Sequence, residues 1–112
     1  MRITSTGRRA LAVTSASRAE LLPELPTVGD FVPGYETSQW YGIGAPANTP
    51  AEIVDKLNGE INAALADPKI KARLAALGVT ILQGSPADFG KLIADDTEKW
   101  AKVIRTVNIK AE

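Results

Sequence analysis

The sequence predicts an α/β fold of about three short strands and three main helices, and three observations carry that prediction. A capping residue is followed by proline at Thr49-Pro50, Asp67-Pro68 and Ser85-Pro86, and each pair opens a run with apolar residues three and four apart. A β-branched run, Val79 to Gln83, lies between Gly78 and Gly84. A short apolar stretch, Arg9 to Thr14, has the length and content of a buried strand.

The basic pair Arg8-Arg9 marks the solvent end of that first strand. Ser15 to Glu24 is small and polar, with room for one helical turn around Ala19 to Leu22 before Pro23 stops it. Leu25-Pro26-Thr27-Val28 reads as an ordered loop, and Thr27 can cap a short turn through Asp30. Pro33-Gly34 is a turn signal. Tyr35 to Ala45 reads as a strand crossing between two parts of a structure, with Gly42 and Gly44 marking close backbone approach or a bend.

Thr49-Pro50-Ala51-Glu52 has the form of a capping box, which starts the first helix at Pro50. Ile53, Val54, Leu57, Ile61, Ala64 and Leu65 make its core-facing stripe, leaving Glu52, Asp55, Lys56, Glu60 and Asn62 to water. Asp67-Pro68 starts a second helix carrying Ile70, Leu74 and Leu77, and Gly78 ends it in a left-handed position. Ser85-Pro86-Ala87-Asp88 starts the third, with an acid at its third position, and this helix runs to about Arg105. Phe89, Leu92, Ile93, Trp100, Val103 and Ile104 lie on one side, and Asp95, Asp96, Glu98, Lys99 and Lys102 mostly on the other. Asn108 to Glu112 is expected to be a frayed or extended tail.

Composition narrows the function. The length of 112 residues fits one domain or part of one. Thirteen basic and thirteen acidic residues cancel, with no basic block to track a phosphate backbone, so nucleic acid is not an expected partner. No apolar run approaches the ~20 residues of a membrane-spanning helix. Cysteine and histidine are both absent, which removes thiol nucleophiles, imidazole bases, disulfides and the usual zinc ligands. No cofactor or metal is expected, and an enzyme is the least favoured reading. Met1-Arg2, Arg8-Arg9 and Ala10-Leu11-Ala12-Val13 imitate a signal peptide, but the apolar run is shorter than the ~7–15 residues export requires, so a buried strand is expected instead.

A set of motifs recurs in a known order. Arg9-Ala10-Leu11-Ala12-Val13-Thr14-Ser15 is followed by Leu25-Pro26-Thr27-Val28, Pro33-Gly34-Tyr35-Glu36 and Trp40-Tyr41-Gly42. Ala45-Pro46-Ala47-Asn48-Thr49-Pro50, Leu57-Asn58, Asp67-Pro68, Arg73-Leu74, Leu77-Gly78 and Gly84-Ser85-Pro86 complete it. With these segments the sequence resembles the C-terminal part of the tripartite tricarboxylate transporter substrate-binding proteins, the Bug or TctC family. The resemblance implies part of a type II periplasmic-binding-protein fold, in which two lobes close over a carboxylated solute and deliver it to a membrane permease. It implies a periplasmic location and a chain corresponding to the last third of such a receptor, without most of the cleft. Residues 1–46 would then be a second-lobe remnant plus the hinge-crossing strand, and residues 47–112 would complete the first lobe. In the family the solute's carboxylates are held mainly by backbone amides and hydroxyls of the other parts, so this stretch is not expected to bind solute alone.

The candidate sites follow from that comparison and from residue chemistry. Trp40 and Tyr41 either wall a ligand cleft or fill core space where lobes meet. Thr14 and Ser15, at a strand's C-terminal end, either contact ligand or form a turn. Gly42, Gly44 and Pro46 are the expected hinge positions. Asp95, Asp96 and Glu98 suggest an acid or metal cluster but fit a solvated helix face better. Arg8-Arg9 fits ordinary surface, and Trp100 is expected in the core. The rival function is a stand-alone, self-associating interaction module, because a lone sheet edge and one-sided helices should bury themselves against another copy.

Overall fold

The computed structural model describes residues 9–110. Met1, Arg2, Arg8 and the last two residues of the expected tail lie outside them. The described residues form a 3₁₀ turn, Val28–Asp30, and three α-helices: α1, Ala51–Ala66; α2, Pro68–Ala76; and α3, Pro86–Thr106.

The helices are as expected, and the strands are not. Among the described residues the β content is one isolated parallel bridge, Val13 to Thr27. Residues 79–83 and 35–45 are without regular secondary structure. A strand is a property of a ladder, needing a second backbone about 4.8 Å away along its length. The β-branched run 79–83 has the side chains for one but no partner strand among the described residues, and composition alone does not make a strand.

Cap chemistry sets the helix ends. Asp67 accepts from the Lys69 and Ile70 amides at 2.8 and 3.2 Å, with Pro68 in the first turn of α2. At its other end the Val79 N–H reaches the Leu74 carbonyl and the Gly78 N–H the Ala75 carbonyl, with Gly78 at φ 76°. That pair of bonds is a Schellman stop, and the left-handed residue suits glycine. Ser85 and Asp88 close a full capping box at the start of α3. The first two residues of the expected tail are ordered instead: Asn108, at φ 54°, and Ile109 fold back on the Arg105 and Ile104 carbonyls in the same kind of stop.

The expected box at Thr49 is not what starts α1. The Thr49 hydroxyl donates backward to the Pro46 carbonyl at 2.8 Å, and the Pro50 carbonyl accepts the Ile53 and Val54 amides. The helix opens at Ala51, one residue later than expected.

The described chain divides into two units. The first holds the residues up to Tyr41 together with Leu65–Ile81, and the second holds Gly42–Ala64 with the chain from Leu82 onward. In the first, Val13 donates to the Pro26 carbonyl and accepts from Val28, while Thr14 accepts from the Thr37 amide, all at 2.8–2.9 Å. Thr27 is the residue buried there, 6% exposed, with its hydroxyl accepting from Asp30 and its amide bonded to the Asp30 carboxylate. The turn at Thr27 and the turn at Pro33-Gly34, where Gly34 takes φ 82°, both form as expected.

In the second unit, Asn58 and Asn62 sit on the half-buried face of α1 with Val54 and Ile61, while Ile53 and Leu57 are exposed. This corrects the expected stripe, which had Ile53 and Leu57 inward and Asn62 in water. Both asparagine amides donate to the Gly84 carbonyl at 2.9 Å, and the Gln83 side chain donates to the Asn62 carbonyl. Side-chain amides replace apolar contact here because the approaching segment presents bare backbone, whose carbonyl must find a donor. No apolar side chain is buried among the described residues.

Candidate functional site

The candidate ligand residues belong to the first unit. The Thr14–Thr37 backbone bond, 2.9 Å, brings residues 14–15 alongside the segment that leads to Trp40 and Tyr41. Thr14 is exposed and Ser15 half-buried, its hydroxyl donating to the Ser17 carbonyl at 2.7 Å. Trp40 is half-buried, whereas Tyr41 is 83% exposed, so its ring fills no core here. Hydroxyl, indole and phenol groups can each meet a polar organic molecule through hydrogen bonds or ring contact.

The hinge candidates differ from one another. A β-carbon on Gly42 would stand 2.1 Å from the Phe89 ring, whereas one on Gly44 would meet nothing within 4 Å. Gly42 is therefore a site of close approach: the ring of a helix residue lies directly on its backbone. Pro46 gives its carbonyl to Thr49. Sequence reasoning named Gly42 without Phe89, since no pattern links a glycine to an aromatic residue forty-seven positions later.

The asparagine pair is the feature that sequence reasoning missed. A signal existed, because Asn58 and Asn62 are four apart on one helix, where asparagine is a poor helix former and needs a reason to stay. Their target, the Gly84 carbonyl, immediately precedes the α3 cap.

Charged groups are engaged locally. The Ser85 backbone amide and then its hydroxyl hold the Asp88 carboxyl below the usual aspartate range. Lys91 and Asp95 pair on the exposed side of α3, and that bond and charge push the Lys91 ammonium upward. The expected acidic row is thus split: Asp95 is paired with Lys91, and Asp96 is half-buried. Trp100, expected in the core, is 40% exposed with the Lys99 ammonium 5.7 Å over its ring. An open depression of about 350 Å³ is lined by Glu52, Ile53, Lys56, Leu57 and Glu60, all from α1, and is a helix surface and not an enclosed site. Among the described residues no three acidic, histidine or cysteine groups converge as a metal site, and no helix is long and apolar enough to cross a membrane.

The helix starts bear on anion chemistry. The N-terminal amides of α2 and α3 already have side-chain acceptors, Asp67 and Ser85, and Asp67 and Asp88 place anionic groups there. Neither start is open to a solute carboxylate.

Comparison with known proteins agrees with this architecture. Residues 1–109 match the family described as the tripartite tricarboxylate transporter family receptor. A UPF0065 protein in the tcbD-tcbE intergenic region of Pseudomonas sp. strain P51 is 40% identical over 105 residues, covering 92% of this chain and 31% of that protein. Protein BugT of Bordetella pertussis is 34% identical over 109 residues, covering 96% of this chain and 33% of that protein. The solved structure of the periplasmic binding protein BugD superposes with a TM-score of 0.76 at 34% identity, over 90% of this chain and 35% of that one. The chain spans about a third of the length of these relatives. With capped helices in the expected order, a match over nearly its whole length and the backbone of part of a periplasmic binding protein, the chain belongs to the tripartite tricarboxylate transporter receptor family.

Proposed function

We propose that this chain is the C-terminal part of a periplasmic receptor that binds small carboxylated molecules and delivers them to a membrane permease, without enzymatic activity. The observation that carries the reading is the joint match in sequence and backbone to a periplasmic binding protein. In the whole receptor, residues 1–46 belong to the second lobe and the hinge crossing, and residues 47–112 complete the first lobe. Trp40, Tyr41, Thr14 and Ser15 face the solute, and Gly42, Gly44 and Pro46 lie at the hinge. The chain alone lacks solute affinity, because most of the cleft belongs to the rest of the receptor and the α2 and α3 starts are already capped.

Isothermal titration with di- and tricarboxylic acids tests this. The isolated chain should give no measurable heat, and the chain joined in frame behind the remaining two thirds of a relative such as BugT should bind. Failure of the joined protein with every acid tried, while it remains folded and monomeric, overturns the carboxylate reading.

A second reading is favoured by the absence of buried apolar side chains among the described residues. Isolated, the chain acts as a self-associating module that buries its open helix faces against another copy.

A further inference from the structure

Asn58-Gly59 lies in the middle of α1 and is the one Asn-Gly pair in the sequence. Asn48, Asn62 and Asn108 precede threonine, alanine and isoleucine. Glycine leaves its backbone nitrogen unshielded by any side chain, and Gly59 is exposed, with nothing within 4 Å of where a β-carbon would stand. A glycine inside a helix also weakens the helix at that point. The Asn58 amide is thereby set beside the least hindered nucleophile that a polypeptide backbone offers.

The fold keeps the two groups from reacting. In α1 the Gly59 N–H is directed to the carbonyl four residues back, and the helical backbone does not bring that nitrogen into line with the Asn58 side-chain carbon. The Asn58 side chain is tied as well: its Nδ2 donates to the Gly84 carbonyl at 2.9 Å, and its Oδ1 accepts from Asn62 at 3.2 Å. Both restraints lapse where α1 opens.

We propose that Asn58-Gly59 is a site of spontaneous covalent modification, held closed by α1 and the tie to Gly84, which turns opening of the helix into a permanent change. In the opened chain the Gly59 nitrogen attacks the Asn58 side-chain carbonyl carbon. A carbon–nitrogen bond forms, the bond to Nδ2 breaks, and ammonia departs with the proton that the Gly59 nitrogen gives up, leaving a five-membered cyclic imide. Water opens the ring at either carbonyl, giving aspartate or, with the main chain routed through the β-carbon, isoaspartate. Nothing is oxidised or reduced. Aspartate has no N–H to offer Gly84, and isoaspartate adds a backbone atom that breaks the hydrogen-bond register of α1.

The test ages the whole 112-residue chain in buffer and through a guanidinium chloride series at neutral pH. Peptide mass mapping locates the change from amide to acid, and enzymatic methylation counts isoaspartate. Modification should concentrate at Asn58, and its rate should rise about tenfold or more as helical dichroism is lost, because it follows the opened population. Gly59→Ala should slow it by about the same factor in full denaturant, where folding plays no part, and Asn62 serves as the internal comparison. Returned to buffer, the aged native chain should lack helical signal in proportion to its isoaspartate, while aged Gly59→Ala recovers in full. The proposal is overturned if Asn58 stays intact in denaturant, if another asparagine reacts first, or if the rate ignores helicity. It is equally overturned if the modified chain regains as much helix as the fresh one.

Discussion

Gly42 tolerates no side chain because Phe89 occupies the space, and Gly44, two residues on, has open space around it. Alanine at Gly42 must displace an aromatic ring, so it should lower stability by about 1–3 kcal/mol, as overpacking does. Alanine at Gly44 should be neutral or stabilising, within about 1 kcal/mol, since it mainly restricts the unfolded chain. Urea titration followed by helical circular dichroism checks the pair, and equal effects would remove the close-approach account. The asparagines make a different kind of residue-scale prediction. Two amides share one carbonyl, so Asn58→Ala or Asn62→Ala alone leaves Gly84 satisfied. The double variant leaves that carbonyl without either donor and should cost about 1–3 kcal/mol, more than the sum of the singles. Additive losses in the same titration would mean that the shared acceptor is not what matters.

At the scale of the element, α3 depends on its first turn. The Asp88 carboxyl is held below its ordinary range by Ser85, so its contribution is present above the unfolded aspartate value, near 4, and is lost as pH falls through the lower folded value. Helicity should therefore drop on acidification below about pH 4, and Asp88→Asn should be less helical at neutral pH and flatter in acid. A dichroism titration in which the variant and the native chain keep the same acid slope would contradict this. The raised Lys91 acts with the opposite sign: its pairing with Asp95 is present below the ordinary lysine value and lost as pH rises through the higher folded one. Both groups are exposed, so salt should weaken the ion pair first.

For the whole molecule the decisive fact is that apolar side chains at Tyr41, Ile53, Leu57, Trp100 and Ile104 remain in contact with water. Burial of apolar area is the main stabilising term in folding, so a chain with little of it should unfold over a broad range and gain order by association. Light scattering across a hundredfold concentration series should show a dimer at the upper end, with a sharper thermal transition there. A monodisperse monomer with a steep, concentration-independent transition would sink the self-association reading.

What was legible in the sequence was local. Asp67-Pro68, Ser85-Pro86, Gly78 and Thr27 announce their structures because a cap or a left-handed turn is settled by a few neighbouring residues. The family, too, is carried by ordered short motifs. What only the tertiary structure decided was pairing at a distance. It set Phe89 on Gly42, turned Asn58 and Asn62 inward to Gly84, and left residues 79–83 without a ladder partner among the described residues. Such contacts depend on which backbone arrives alongside, and no local preference encodes that arrival.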